Sequence, residues 1–370
     1  VALSLTSSQY TSRVIRNFMR DRFNQVVLGM FLGIFAYCLV GLRTIRGGDE
    51  GAFVPSLAVL AGLILAFVGI AFLIYFIHHI SVSIQASSII ARVAQETIAA
   101  VDRLFPEGLA EDGEEDEVGN LPTSLANRPW SAVPARKTGY IESIDADALL
   151  DVAREHGTIL RMERGIGEFV VEGAPLVSVV DPGALDEKTA AELNGAYIIS
   201  CQRTVEEDAA FGIRQIVDIA MKALSPGIND TTTAVMCIDY LTAILARLAP
   251  RQIPASRRYE DGELRVITIG PTFASLLAES FDQIRGSAIG NVAIMLRMLG
   301  ALETIASLTA MPGRRRAIRE QVQWIAELAE RTLESVHDRR RIDMRLARLR
   351  EALEAEPTLC AGEGKRCPLA

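Results

Sequence analysis

The sequence predicts a membrane protein with an α-helical transmembrane part and a cytoplasmic α+β region, in which a small β-rich barrel or sandwich precedes a helical domain. Three observations support this fold class. Residues 26–42 and 53–77 contain no charged side chain. Short apolar runs separated by glycines begin at Gly139. Apolar residues at helical spacing then dominate from Thr204 onward.

The two uncharged runs are candidate membrane spans, because about 20 apolar residues cross the hydrocarbon core as a helix. Four arginines at positions 13, 16, 20 and 22 precede the first run, and two at 43 and 46 lie in the connecting loop. The positive-inside rule then places both ends of the pair in the cytoplasm. We therefore expect a multi-pass protein of the bacterial inner (plasma) membrane with a cytoplasmic C-terminal domain and membrane lipid as a partner.

The helical pattern continues after the second span. Apolar residues recur at helical spacing as far as Leu104, so one helix over residues 53–105 is predicted, with a break near residues 81–83 as the alternative. Seven acidic residues between 107 and 117 then predict a disordered linker.

The predicted organisation has seven segments. They are an amphipathic or end-of-span segment (1–22), the first transmembrane helix and a short outer loop (23–52), the second transmembrane helix extending into the cytoplasm (53–105), an acidic disordered linker (106–138), a small β-rich domain (139–203), a helical domain (204–356) and a disordered tail (357–370). In the helical domain, helices are predicted over residues 206–224, 230–248, 274–302 and 314–354. The last has an apolar stripe under a charged exterior, which is typical of a helix that packs on a partner.

Composition excludes several classes of function. The net charge of −8 and the absence of a basic stripe with interleaved aromatics argue against a nucleic-acid partner. The five cysteines lack metal-binding spacing and fit a reducing compartment. The sequence contains no recognisable pattern of a nucleophile with its base, a phosphate loop or a carboxylate pair. No cofactor, metal site or catalytic residue is therefore expected.

Three groups of polar residues are candidate sites. Ser4, Ser8 and Thr11 share one helical face, which suits either close helix packing or the lining of a pore. His78, His79 and Gln85 lie where the second span ends. They form either an interfacial polar collar or a gate and pH sensor, because imidazole titrates near neutrality.

The third group is in the stretch SPGINDTTTAV, residues 225–235. Asn229 and Asp230 either close a corner between two helices, with Asp230 as the N-cap, or present oxygens to a ligand. The acidic run Glu206, Glu207 and Asp208 is interpreted as the first turn of a helix rather than as a set of metal ligands.

The stretches VALSLTSSQYTSRVIRNFMRDR, LIYFIHHISVSIQ, RVAQETIAAVDRLFP and DIAMKALSPGINDTTTAV resemble a bacterial family of predicted membrane proteins, catalogued as domain of unknown function 2254. The resemblance implies four spans, with a hydrophobic pair upstream of Val1, where an apolar pattern is already under way. The family commonly has proline directly after Asn-Asp, whereas this chain has Thr231. The family name implies no activity.

The function that we expect from these features is an oligomeric ion channel or transport-related protein with a cytoplasmic regulatory domain. A symmetric homo-oligomer is expected because few spans enclose little space and the apolar stripe of the last helix needs a partner. The layout is similar to that of small-conductance mechanosensitive channels. A membrane-anchored cytoplasmic enzyme or small-ligand-binding module, and a non-catalytic membrane scaffold, remain the alternatives.

Overall fold

The computed structural model describes residues 22–44, 56–83, 85–106, 125, 128–180 and 186–354. It is mostly helical, with one region that combines helices and sheets. The chain divides into two units, residues 1–89 and 90–370, and each unit is described by itself.

Two long apolar helices form the described part of the first unit: α1 covers Arg22–Thr44 and α2 covers Ser56–Ser83. A hairpin of two helices buries only the stripe at which they meet, so most of their large apolar side chains are exposed. Leu32 is 69% exposed and Phe67 is 66% exposed. Such side chains need no protein cover in a bilayer, where a helix already satisfies its own backbone groups.

The two helices are antiparallel and touch at small residues of α2. A Cβ atom at Gly69 would lie 3.1 Å from Ile34 Cδ1, so glycine permits this close approach. Nearer the start of α2, the hydroxyl of Tyr37 donates to the carbonyl oxygen of Ala58 at 2.8 Å. The tyrosine thus satisfies its polar group within the hairpin.

Instead of one helix over residues 53–105, the structure has α2 and a separate helix α3 (Ala86–Leu104). The carbonyl of Gln85 accepts the amides of Ser88 at 3.1 Å and Ile89 at 3.2 Å and starts the new helix. The sequence around the break, SVSIQASS, is rich in serine and β-branched residues. Serine hydroxyls compete for backbone hydrogen bonds, and branched side chains lose rotamer freedom in a helix.

The second unit contains eight further helices and eight strands among the described residues. The strands are β1 (Trp130–Pro134), β2 (Gly139–Ile144), β3 (Leu160–Met162), β4 (Phe169–Val170), β5 (Pro175–Val180), β6 (Tyr197–Ser200), β7 (Arg257–Glu260) and β8 (Glu263–Ile267). The helices are α4 (Ala146–Glu155), α5 (Glu187–Gly195), α6 (Ala209–Ala223), α7 (Thr231–Leu248), α8 (Phe273–Ser287), α9 (Val292–Ala306), α10 (Pro312–Thr332) and α11 (Val336–Glu354).

The strands form two open sheets, with the orders β1-β5-β3-β8-β7 and β4-β2-β6, and no closed barrel forms among the described strands. Two strand positions differ from the prediction. Strand β1 lies within the segment predicted as a disordered linker, where it pairs antiparallel with β5. Strands β7 and β8 lie within the predicted helical domain, yet β8 pairs parallel with β3.

The turn between β7 and β8 has a local cause. Asp261 and Gly262 both have positive φ, 52° and 79°. An Asp-Gly pair favours this backbone conformation, which matches the twist of a two-residue hairpin. The hairpin therefore extends a sheet whose other strands lie about a hundred residues earlier in the chain.

Helices α4 and α5 cover the sheets and complete one apolar core. Its fully buried side chains come from both sheets and both helices: Val133, Ile141, Leu149, Leu160, Leu176, Leu193 and Val266. Asp145 caps α4, and Gly157 follows its end with φ of 57°, a conformation that favours glycine.

The helices of the remaining region pack as α6 on α7 and α8, and α7 on α9. One helix is predicted over residues 274–302, but the structure has α8 and α9 joined by a corner. At that corner Gly290 has φ of 69° and Asn291 caps α9. The corner between α6 and α7 has the same order: Asn229 has φ of 49° and Asp230 caps α7. A residue with positive φ followed by a side-chain cap thus reverses the chain twice.

The charged C-terminal segment forms two helices rather than one, α10 and α11, and its apolar stripe lies inside the chain. Ile318, Val322 and Ile325 are buried where α10 packs against α8, α9 and α11. Val336, at the start of α11, is 72% exposed. The stripe therefore finds its partner within one copy of the chain.

Three described helical segments are long and apolar enough to cross a membrane: Gln25–Arg43, Ser56–His78 and Thr231–Leu248. The third is α7, which differs from the others in its surroundings. Asp239 pairs with Arg297, and Arg247 pairs with Asp102 at 2.6 Å. Its apolar face is buried among neighbouring helices. Helix α7 is thus a core helix of the globular unit, whereas α1 and α2 have the exposed apolar surfaces of membrane spans.

Candidate functional site

A cavity of about 550 Å³ lies within the second unit, where the two sheets meet the helices. Small-molecule sites in proteins have volumes of about 300–1,000 Å³. The lining comes from distant parts of the chain, including the end of α3, the loop after β3, the start of α6, the loop before β7 and the loop after β8. A molecule in this cavity would contact segments that are far apart in the sequence.

Much of the cavity wall is apolar. Phe105 and Met162 are buried, and Ile144, Ile269 and Met311 are half-buried beside them. Methionine side chains are flexible and polarizable, so two of them let the wall adapt to the shape of a ligand.

Four helices begin at the cavity: α4, α6, α8 and α10. Three of them are closed by a side chain, since Asp145, Asp208 and Thr272 each accept the amide of the residue three positions later. The N-cap residue of α10 is Met311, which provides no side-chain cap. The positive end of α10 is therefore the one of these four that no side chain closes.

Asp208 is the most deeply buried acid of the lining. Its carboxylate accepts from Arg203 Nε at 2.9 Å and Nη2 at 2.7 Å, and its other oxygen caps α6. Burial raises the pKa of Asp208, and the charge of Arg203 opposes that rise. Gly167 packs against the pair: a Cβ atom there would lie 2.3 Å from Asp208 Oδ2. A glycine with φ of 84° therefore permits this buried ion pair.

Arg314 is the buried cation of the lining. It is 1% exposed, and its Nη1 donates to the carbonyl oxygens of Leu248 at 3.3 Å and Ala249 at 2.8 Å, at the end of α7. Its guanidinium lies 5.2 Å from the centroid of the Phe273 ring. The positive charge thus meets the negative end of a helix dipole and an aromatic face.

The structure places Asn229 and Asp230 away from this cavity lining. Asp230 accepts the amide of Thr233 at 3.0 Å and also its hydroxyl, and these bonds lower the pKa of Asp230. The side-chain amide Nδ2 of Asn291 donates to Thr231 Oγ1 at 3.3 Å. Thr231, which stands where the family commonly has proline, thus links the two helix corners. Both oxygens of the Asp230 carboxylate therefore accept hydrogen bonds from Thr233 in the first turn of α7.

The candidate pore residues Ser4, Ser8 and Thr11 lie outside the described residues. His78 is exposed near the end of α2, and the side chain of His79 belongs to the part that is not described. Gln85 is exposed and starts α3 through its carbonyl. Asn229 and Asp230 are neighbours at the corner between α6 and α7.

The acidic residues predicted to form the first turn of a helix make different contacts in the structure. Asp208 precedes α6 as its N-cap, and Glu207 lies 3.8 Å from Arg103. In the part of the chain that the structure describes, no group of three histidine, cysteine, aspartate or glutamate side chains has the arrangement of a metal site.

The sequence analysis missed the cavity residues, Arg203 and Arg314 above all. Arg203 is five positions before its partner Asp208, a spacing that a loop accommodates as readily as a helix. Arg314 belongs to a run of three arginines that looks like a solvated face. Neither signal distinguishes a buried arginine from a surface one.

These features define the class of the protein: a membrane protein with helical spans and a globular region of helices and sheets that contains a ligand-sized cavity. The chain belongs to the family described as "Predicted membrane protein (DUF2254)", whose model matches residues 1–304. The resemblance in the sequence is thereby confirmed.

Two curated relatives are similar to nearly the whole chain. The chain is 35% identical over 367 residues to Uncharacterized protein Rv1290c of Mycobacterium tuberculosis and to Uncharacterized protein Mb1321c of Mycobacterium bovis. Each alignment covers 97% of this chain and 69% of the relative. No solved structure matches the chain.

Proposed function

We propose that this protein is an oligomeric, transport-related protein or ion channel of the bacterial inner membrane, and that its globular region is a cytoplasmic regulatory module that binds a small molecule. The cavity in the globular unit is the observation on which this proposal depends. It has the volume of a small-molecule site and mixes an apolar wall with a few polar groups, as such sites do.

A route from the cavity to the membrane helices follows from the order of the chain. Leu104 and Phe105, at the end of α3, line the cavity. Helix α3 follows α2, the second candidate span, after a short break. A ligand that shifts the end of α3 can bias α2, provided that it binds one arrangement of the helix more tightly than the other.

Close packing of α3 makes it suitable for this role. Thr97 is fully buried against α6, where a Cβ atom at Gly212 would lie 2.0 Å from Thr97 Oγ1. Tightly packed interfaces respond to a ligand in discrete steps because they do not deform continuously. The contact between α3 and α6 is therefore the element that we expect to transmit binding.

Flux measurements on the purified full-length protein in liposomes test the transport role. Cations and anions are compared at about pH 6 and about pH 8, on either side of the histidine range. We expect flux from the wild type, a change in its pH dependence in His78→Ala and reduced flux in Ser8→Leu. Absence of flux for all ions, voltages and membrane tensions in an intact oligomer would contradict the transport role.

Oligomerisation has its own test. Two membrane helices enclose little space, so a hydrated path through this protein needs several copies. Because the stripe on α10 is covered within one chain, the contacts must involve other surfaces, including the exposed faces of α1 and α2. Mass measurement in a native-like detergent at micromolar concentration should give a homo-oligomer, and a monomer alone would contradict this part of the proposal.

A further inference from the structure

We infer that the cavity takes an uncharged, mostly apolar molecule that carries an acceptor oxygen. This inference names the ligand class of the regulatory module and therefore rests on the function proposed above. Three observations support it: the paired charges on the lining, the apolar wall, and the start of α10, which has no side-chain cap.

Each acidic side chain of the lining already has a cationic partner from this chain. Asp208 is held by Arg203 at 2.7 Å. Glu168 lies 3.6 Å from Arg164, and Glu207 lies 3.8 Å from Arg103. A cationic ligand would have to compete with these arginines, which are attached to the same chain.

The two cations of the lining are also engaged. Arg258 pairs with Asp147 at 3.2 Å. Arg314 donates to the carbonyls at the end of α7 and stacks on Phe273. An anionic ligand would have to replace those contacts and would enter a cavity that already holds three carboxylates. Burying an unpaired charge is costly, so both signs of ionised ligand are disfavoured.

The apolar wall of the cavity favours binding of an apolar molecule. Met162, Phe105 and Met311 lie on the lining with several aliphatic side chains. Removing apolar surface from water is favourable in proportion to its area. An apolar body buried here gains this contribution without displacing any ion pair.

The start of α10 is a polar feature of the lining. This helix begins at the cavity without a side-chain cap, and Pro312 at its first position has no N–H group. The next N–H groups at the start of a helix have no partner within the helix and can donate to an acceptor such as a hydroxyl, ester or carbonyl oxygen. An uncharged amphiphile with one such oxygen matches this arrangement, and molecules of that kind also partition into the bilayer in which α1 and α2 lie.

Photolabelling of the full-length protein in lipid nanodiscs tests the ligand class. Three diazirine probes share one alkyl chain and differ only at the head, which is a methyl ester, a carboxylate or an ammonium group. Mass spectrometry of the digested protein should find the ester on peptides that cover residues 162–168, 252–256 and 268–272. We expect it to exceed each charged probe there by about tenfold or more, and unlabelled ester should compete.

Two cavity-filling variants test the site, and one surface variant is their matched control. Ala210 and Ala255 line the cavity, so Ala210→Phe and Ala255→Phe should each reduce ester labelling of these peptides. Ala99 is exposed on α3, and Ala99→Phe should leave the labelling unchanged. The two filling variants lie on different elements, Ala210 in α6 and Ala255 in the loop before β7, and so guard against misfolding of either one.

The outcomes separate this inference from the proposed function. Equal or stronger labelling of the same peptides by a charged probe would overturn the ligand class and leave the binding role intact. Labelling confined to the membrane helices with all three probes would overturn the binding role as well.

Discussion

The Nη1 group of Arg314 donates to the carbonyl oxygen of Ala249 at 2.8 Å and joins the start of α10 to the end of α7. Two other buried arginines do the same at other helix ends. Arg251 donates to the carbonyl of Phe105 after α3, and Arg315 donates to the carbonyl of Leu353 in α11 at 2.8 Å. The last carbonyls of a helix have no partner within the helix, and its end carries partial negative charge. Arginines thus close three helix ends inside the globular unit.

Replacing Arg314 by methionine should destabilise the protein by about 2–3 kcal/mol, because carbonyls that accepted charged hydrogen bonds are left buried. Arg316 provides the control two positions later, since its side chain is 79% exposed and pairs with Glu320 within the same helix. Arg316→Met should change the unfolding free energy by less than about 0.5 kcal/mol. Denaturant unfolding of the purified protein compares them, and equal effects would contradict the capping role.

The contact of Gly212 with Thr97 gives a second prediction. A methyl group at position 212 would lie 2.0 Å from Thr97 Oγ1, so Gly212→Ala forces α3 and α6 apart. Overpacking of this kind costs about 1–3 kcal/mol. Adding Thr97→Ala should restore part of the loss, which a double-mutant cycle measures.

Gly286 is the matched control for that prediction. It lies in α8, and a Cβ atom there would meet nothing within 4 Å. Gly286→Ala should stabilise the protein by up to about 1 kcal/mol, because alanine restricts the unfolded chain. Thermal unfolding of both variants should therefore shift in opposite directions, and a shift in the same direction would count against the steric argument.

Local patterns predicted the local elements of this fold. The helices predicted over residues 206–224 and 230–248 depend on apolar spacing within each segment, and the cap at Asp230 depends on a side chain three positions from the amide that it accepts. The uncharged runs predicted α1 and α2 because hydrocarbon thickness sets their length directly. Such features require no knowledge of distant residues.

Local sequence patterns did not predict contacts between residues that are far apart in the chain. The parallel pairing of Leu160 in β3 with Val266 in β8 joins residues that no spacing rule connects. The Asp261-Gly262 pair is a recognised hairpin signal, but helical patterns on both sides concealed it. The cavity residues were missed for the same reason, since loops and helix ends from distant parts of the chain converge there.

Asp230 provides a prediction that separates a helix cap from a catalytic acid. Asp230→Ala should lose about 1 kcal/mol of stability at neutral pH, whereas Asp230→Asn should keep most of it because asparagine also caps. Since Asp230 is not on the cavity lining, ester labelling of the cavity should be unchanged in both variants. Loss of labelling in a stable, folded variant would instead assign Asp230 a role in binding.

The pH dependence of that loss has a defined sign. Hydrogen bonds from Thr233 lower the pKa of Asp230 in the folded protein. A lowered carboxyl pKa stabilises the fold above the ordinary value of about 3.9, and the contribution is lost as the pH falls through the folded value. The difference between wild type and Asp230→Ala should therefore shrink on acidification, as unfolding measured from about pH 7 down to about pH 3 will test.

Two cysteines make the orientation of the globular unit measurable. Cys201 is exposed, whereas Cys237 is buried in α7, and burial raises the pKa of its thiol to about 12. Cys201 should react with a maleimide because it is accessible, whereas Cys237 should react only after unfolding because burial disfavours its reactive thiolate form. Cys237 is thus an internal control for the integrity of the fold.

A membrane-impermeant maleimide applied to sealed spheroplasts then reports the side of the membrane on which Cys201 lies. If the unit is cytoplasmic, as the arginines at 13, 16, 20 and 22 predict, the Cys201 peptide should remain unlabelled until the membrane is permeabilised. Cys237 should remain unlabelled in both conditions, with mass spectrometry distinguishing the two peptides. Labelling of Cys201 in sealed spheroplasts would place the globular unit outside the cytoplasm, and the cavity would then take its ligand from the opposite side of the membrane.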